Sequence, residues 1–312
     1  MVEKKTVLIL GAGASKPYGF PTGEELLRQI VDIKHHGPTP LEDSLQECGF
    51  TSELIKDFVN ELNRSGRKSV DAFLEHRTEF EKVGKAAMIA ALIPKEDPAT
   101  TLDHSNNEHW YKYLFQQMGS SLDEVANSKL SVITFNYDRS LEYFLLQALQ
   151  SSFKLDMKYC FNLLERLPII HLHGQLGELL GNNSDPRFRE FETKVSPGII
   201  ELCIPQIKII HEVKVNVSDN PQFKKANELL VNAERICFLG FGYDKTNIQR
   251  LGGMYNTLST IIGSMGKQCC GTALGFTPEE VKRIIQGQLT RNFFAYPSYN
   301  NLSLLRETGI LL

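Results

Sequence analysis

The chain has no Cys-x-x-Cys pair: Cys48, Cys160, Cys203, Cys237, Cys269 and Cys270 are either isolated or adjacent. A zinc ribbon announces itself by such spacing, so none is expected. Long apolar runs are missing as well. The longest clean one, Ala86 to Ile93, falls far short of the ~20 residues needed to span a bilayer. No secretory leader is read, because Lys4 and Lys5 precede only Val7-Leu8-Ile9-Leu10 before Gly11. An excess of positive charge is also absent: 34 Lys+Arg against 37 Asp+Glu leaves −3, which argues against a basic nucleic-acid footprint. These absences lead to the expectation of a soluble cytoplasmic protein with no membrane or direct nucleic-acid partner. Without secretion, the sequons at Asn182-Asn183-Ser184 and Asn216-Val217-Ser218 carry no weight.

What the sequence does hold is a core. Apolar residues are 42% of 312, enough to exclude disorder for most of the chain. Four short continuous apolar segments each end at a small or polar residue. They are Val7–Leu10 before Gly11, Val132–Phe135 before Asn136, Ile169–Leu172 before His173, and Ile236–Leu239 before Gly240. Continuous rather than alternating hydrophobicity is the mark of parallel strands buried on both faces. Helical patterns lie between them: Thr22 to Ile33 sets Leu26, Leu27, Ile30 and Val31 on one face, and Ser140 to Gln150 sets Leu141, Phe144, Leu145 and Leu149. The alternation predicts an α/β fold, a Rossmann-type open parallel sheet with right-handed crossovers. In such sheets ligands bind at the carboxyl ends of the strands, and all four polar tips fall there.

Residues from about 34 to 129 read instead as a helical insertion, with helices at Ser52–Leu62, Ser69–Phe80, Val83–Ile93 and Glu108–Met118, packed beside the sheet and roofing its site. A polar stretch from about Gly177 to Pro197 reads as a loop or lid. Cys269-Cys270 reads as two reduced thiols on a strand. The whole, 1–312, is expected to form one domain.

Chemistry begins at the first strand tip, Gly11-Ala12-Gly13-Ala14-Ser15. Glycines let backbone N–H groups approach phosphate oxygens at the start of a helix. The full dinucleotide fingerprint fails, because Lys16 stands in the third glycine's place and Asp32 lies within a helix. The Walker loop fails too, since Gln268 follows Gly266-Lys267 and Ile261 occupies the leading glycine position. The loop alone leaves phosphate binding and a plain strand–helix turn both open.

Four motifs in order are more specific. Gly11–Ser15 with Gly19-Phe20-Pro21 resembles the opening cofactor loop of the sirtuin family. Thr134-Phe135-Asn136-Tyr137-Asp138 is similar to its second motif, Leu172-His173-Gly174 to its His-Gly, and Leu239-Gly240-Phe241-Gly242-Tyr243 to its later cofactor segment. Two departures separate the chain from the protein-deacylating members: the paired CxxC zinc module is missing, and Thr22-Gly23-Glu24 follows Pro21 where they carry Asp-Phe-Arg. The chain therefore resembles the bacterial sirtuin-like proteins of antiphage defence, which hydrolyse NAD.

That resemblance implies a sirtuin-like NAD-binding fold and an NAD+ glycohydrolase releasing nicotinamide and ADP-ribose, with NAD as substrate and no zinc. It implies activation by homo-oligomerisation or by a protein partner such as an ATPase or an Argonaute-like sensor. His173 would be the base for water or a ribose hydroxyl, its ordinary pKa of about 6.5 suiting that task. Asn136 would orient ribose and water, Asp138 would face the nicotinamide amide, and Gly11, Ala12, Gly13, Ala14 and Ser15 would cradle the diphosphate. Gly240 and Gly242 would line the same pocket, with Thr134 and Pro21 beside it and Tyr18 and Phe20 covering the ring. The alternatives are a protein deacylase or ADP-ribosyltransferase using the same pair, a non-catalytic NAD or ADP-ribose sensor, and a structural interaction module. Bland readings stand beside these: Asn136 as a cap for the helix at Ser140, His171 as structural, Tyr137 and Tyr243 as core or rim aromatics, and His35-His36, His104 and His109 as loop or helix-surface histidines.

Overall fold

The computed structural model describes residues 1–34, 39–179, 185–209, 220–252, 257–264, 266–290 and 292–312. The His35-His36 pair, both sequons in whole or part, and residues 180–184 of the polar stretch lie outside the described residues. Six strands form one sheet: β1 (Thr6–Leu10), β2 (Leu130–Thr134), β3 (Ile169–His171), β4 (Arg235–Leu239), β5 (Gln268–Thr272) and β6 (Phe293–Tyr296). Every neighbouring pair is parallel and the order is β3-β2-β1-β4-β5-β6, the doubly wound arrangement of a Rossmann-type α/β fold. The order reverses between β1 and β4, so the crevice at that junction is where such sheets bind ligands. Register brings the tips level: Leu10 pairs with Thr134 on one side and with Leu239 on the other, and Thr134 pairs with His171.

The continuous apolar strands are explained by burial on both faces. Leu8, Leu10, Val132 and Leu239 join one core, while Val7, Ile9, Ile133, Ile236 and Phe238 join the other. The first face carries α1 (Ala12–Ser15), α2 (Gly23–Val31), the insertion, and after β2 α10 (Ser140–Phe153) and α11 (Met157–Leu164). The insertion consists of α3 (Pro40–Glu47), α4 (Ser52–Arg64), α5 (Val70–Leu74), α6 (Glu81–Leu92), α7 (Pro98–Thr101), α8 (Trp110–Met118) and α9 (Leu122–Ala126), with no strand among its described residues. After β3 come α12 (Pro197–Cys203) and α13 (Pro221–Asn232), and after β4 α14 (Lys245–Leu251) and α15 (Leu258–Ile262). A short helix, α16 (Pro278–Glu280), precedes β6, and α17 (Asn301–Thr308) follows it. No helix among the described residues is long and apolar enough to cross a membrane.

Local chemistry fixes the start of α2. Thr22 accepts the Glu25 N–H through Oγ1 at 3.3 Å, and Glu25 Oε2 accepts the Thr22 N–H at 2.8 Å. This reciprocal cap satisfies two orphan donors and turns the chain sharply after Pro21. The insertion grips the same region from the other side. Trp110 Nε1 donates to the Ala14 carbonyl at 2.8 Å, and Asn106 Nδ2 donates to that of Pro17 at 2.6 Å. Tyr18 stacks on Tyr111 with centroids 3.7 Å apart. Tyr18 is therefore a core residue, fully buried, and its hydroxyl accepts the Tyr111 N–H. The expected cover over a ligand ring falls to Phe20 alone.

The described part of the polar stretch is pinned. Arg139 forks onto Glu96 (Nε to Oε1, 3.0 Å) and donates to the carbonyls of Arg189 and Glu190 at 2.7 and 3.0 Å. Arg189 meets the same Glu96 carboxylate and also donates to the Leu176 carbonyl. This buried group of two guanidinium ions and one carboxylate fastens the loop to α10 and to the insertion.

Candidate active site

The glycine loop and the β4 turn touch backbone to backbone. Gly13 N–H donates to the Gly240 carbonyl at 3.0 Å, and Gly11 N–H to that of Leu239 at 3.0 Å. Gly240 is left-handed (φ 57°), and a Cβ there would stand 2.0 Å from the Ala14 nitrogen; one on Gly11 would stand 2.6 Å from the Gly240 oxygen. The glycines of the two segments serve this close approach. In this state the N–H groups of Gly13 and Ala14 are bonded, Ala14 to the Gly11 carbonyl at 2.8 Å, so a diphosphate would meet a loop whose donors are already partly used.

Asn136 is tied to that loop from β2. Its Nδ2 donates to the Gly11 carbonyl and to Ser15 Oγ, both at 3.0 Å, and its own N–H goes to Thr134 Oγ1 at 3.0 Å. It does not cap α10: Asp138 does that work, accepting the Ser140 N–H at 3.2 Å and the Ser140 hydroxyl. Burial pushes the Asp138 carboxyl above its usual range, partly offset by these donors. A cavity of about 100 Å³ opens here. Its walls include Ala12, Ser15, Phe20, Pro21, Asn136 and Asp138, so residues from the first two motifs, more than a hundred positions apart, converge on one space. Thr134 and His171 line a smaller hollow beside it, together with Ser15, Asn136 and Asp138. Gly11, Gly13, Ala14, Gly240 and Gly242 are not among the walls of the larger space. Asp71 and Leu92, from the insertion, are. Sequence reading missed both, since neither carries a motif.

The two histidines of the third motif go different ways. His171 Nδ1 faces the Asn136 carbonyl at 2.9 Å and Nε2 faces Glu142 Oε1 at 2.6 Å. Both partners are acceptors, an arrangement that favours the doubly protonated imidazolium. Desolvation opposes that charge, but Glu142 and the Asn136 carbonyl outweigh it, leaving the pKa raised. A group whose folded pKa exceeds its unfolded value stabilises the fold fully below the unfolded value and stops doing so as pH rises through the folded one. Stability should therefore fall from about pH 6.5 upward. Urea unfolding of wild type and His171→Asn across that range checks this, the variant being expected to give the flatter profile.

His173 is buried, packs edge-on against Phe135 with centroids 5.5 Å apart, and has no hydrogen-bond partner at Nε2 among the described residues. Desolvation, and next the nearby Arg250 guanidinium, lower its pKa to about 3. The near-neutral titration expected from the sequence does not hold for the buried ring, which is neutral at pH 7. Phe135 lines the 100 Å³ cavity, while His173, packed against Phe135, does not, so the expected base is not brought to the cavity that holds Asn136. The His-Gly turn is itself rigid. Gly174 has φ 75°, and the Lys208 N–H donates to the His173 carbonyl at 2.8 Å. Tyr243 is core, its hydroxyl donating to the Thr272 carbonyl at 2.9 Å. His109 is also buried, beside Tyr18, and is not a surface residue.

No protein-family model matches the chain, and no curated protein matches it either. The functional case therefore rests on the site. Among the described residues no group of three or more His, Cys, Asp or Glu is placed to hold a metal ion. A larger cavity, about 470 Å³, lies by β3 and is lined in part by His171, Glu142, Gln175 and Lys208.

Proposed function

We propose that the chain is an NAD+ glycohydrolase that releases nicotinamide and ADP-ribose, acting as an NAD-depleting effector of antiphage defence. The observation that carries this reading is a cavity at the tips of β1 and β2, walled by Ala12, Ser15, Phe20 and Pro21 of one sequence motif and by Asn136 and Asp138 of another. Cavities of roughly 150 Å³ hold a benzene ring, so at about 100 Å³ this one must widen to admit a single ring and cannot take a dinucleotide whole. The nicotinamide end fits this role, with Phe20 against its face and Asp138 toward its amide. Asn136, already anchored to Gly11 and Ser15, orients the ribose and the attacking water. His173 Nε2, with no hydrogen-bond partner among the described residues, takes the water's proton once the crevice opens to reach it. The closed crevice agrees with an enzyme kept silent until self-assembly, or a partner such as an ATPase or an Argonaute-like protein, opens it.

The place of His173 outside that cavity favours one other reading, a nucleotide sensor without catalysis. Nicotinamide release separates the two. Concentrated chain, with and without phage-infected cell extract, is incubated with NAD+. Release is expected to fall at least about a hundredfold in both Asn136→Ala and His173→Ala. A His173→Ala protein that releases nicotinamide at the wild-type rate overturns the hydrolase mechanism. NAD+ binding without release in every arm supports the sensor.

A further inference from the structure

We infer that the cavity at the strand tips selects a positively charged aromatic ring, and that Asp71 of the helical insertion works with Asp138 to do so. The inference rests on the proposed reading and names what the site discriminates: an oxidised, cationic pyridinium against its neutral counterparts. Asp71 stands in the first turn of α5, which Ser69 fixes by accepting the Ala72 N–H at 3.2 Å. Its Oδ1 accepts the Tyr137 hydroxyl at 2.6 Å. Tyr137 lies between Asn136 and Asp138, so this bond joins the insertion to the β2 tip and sets a second carboxyl on the cavity wall. No Lys, Arg or His is among the described lining residues. Three aromatic side chains, Phe20, Phe135 and Tyr137, are. Carboxyl groups and aromatic faces both attract a flat cation. Burial pushes both carboxyls above their usual range, partly countered at Asp71 by the Tyr137 hydroxyl and then by the Lys85 charge, and at Asp138 by the Ser140 hydroxyl. A bound cation would add counter-charge beside both carboxyls.

The chemistry assigns the pair to binding rather than rate. When the bond between ribose carbon and ring nitrogen breaks, its electron pair passes to the nitrogen and the ring becomes neutral. The positive centre moves to the ribose carbon, water adds there, and the water's proton leaves to the base. Carboxyls beside the ring favour the ground state, so they lower KM without raising kcat. Once neutral, the ring loses that attraction and departs.

The test uses the purified full chain and two probes of nearly equal shape, nicotinamide and the 1-methylnicotinamide cation, titrated by calorimetry. The cation is expected to bind wild type about tenfold more tightly or better. In Asp71→Asn that preference should shrink toward one, and Asp71→Glu should restore part of it. Equal affinity of wild type for the two rings overturns the charge selection, and needs no variant to fold. A preference unchanged in a folded Asp71→Asn removes Asp71 from it. If wild type neither binds NAD+ nor cleaves it, alone or with phage-infected cell extract, the proposed function itself fails, an outcome distinct from the other two.

Discussion

Replacing Glu96 by Gln should cost about 3–5 kcal/mol of stability, a large share of the 5–15 kcal/mol that holds a typical domain together. Glu96 is the one carboxylate shared by Arg139 and Arg189, and the three side chains are 0%, 0% and 4% exposed. Removing it leaves two guanidinium ions out of water with no counter-charge. The alternatives differ in kind. Arg139→Met keeps a matched Arg189–Glu96 pair but leaves the Arg189 and Glu190 carbonyls without their donor. Arg189→Met removes the surplus cation, whose pKa desolvation already lowers, and leaves a matched pair with its fork intact. The expected order of loss in urea unfolding is Glu96→Gln, then Arg139→Met, then Arg189→Met. Finding Arg189→Met as damaging as Glu96→Gln would mean that the charge surplus does not govern the cluster. Arg139 also stands between Asp138 and Ser140, so the same variants should loosen the β2 tip and weaken ring binding in the order in which they destabilise.

What the sequence revealed follows the physics of each segment. β1, β2 and β4 are buried on both faces, and an unbroken apolar run is the only pattern such burial permits; they were legible within a residue or two. β5 was visible only as Cys269-Cys270, and β6 not at all. Its Phe293-Phe294-Ala295-Tyr296 is a short apolar run, but at the sheet edge it is half-covered, with Phe293 buried and Phe294 61% exposed, and no glycine or asparagine tip directly follows it to mark a strand end. The helical character of the insertion was legible, but short α3, α7 and α9 were not, being set by single caps such as Thr39, Asp97 and Ser121 rather than by periodicity. At the site, Asn136, Asp138, Ser15, Ala12, Phe20 and Pro21 could be named from motifs because chain-local turns carry them to the strand tips. Asp71 could not, since its place depends on how α5 docks. Tyr18 was misread because one 3-10 turn at Lys16–Tyr18 sends its ring inward to Tyr111 and leaves only Phe20 at the cavity. The pKa of His173 is a property of its packing, which no local pattern carries.

Gly240→Ala should disable the site more completely than any single polar substitution on its walls. At φ 57° an added Cβ is strained by the backbone alone, and here it would lie 2.0 Å from the Ala14 nitrogen and 2.1 Å from the Gly13 carbonyl carbon. Those atoms are main chain in a loop held on its far side by Trp110 and by Asn301, whose Nδ2 donates to the Gly13 carbonyl at 3.1 Å. The loop cannot rotate a side chain away; it must retreat bodily by roughly 1 Å or more, and overpacking of this kind costs about 1–3 kcal/mol or above. Retreat breaks the Gly13 bond to the Gly240 carbonyl and pulls Gly11 and Ser15 from Asn136 Nδ2, so Asn136 loses both anchors at once. The expected result is a lowered melting temperature together with no measurable binding of NAD+ or of the ring probes. Gly242→Ala is the matched comparison, because nothing lies within 4 Å of its Cβ and its backbone is ordinary. It should leave stability within about 0.5 kcal/mol of wild type. Its effect on NAD+ affinity then reports directly whether position 242 borders the dinucleotide. Normal stability and ligand binding in Gly240→Ala would show that the two glycine segments need not touch, and the convergence of the strand tips would lose its structural basis.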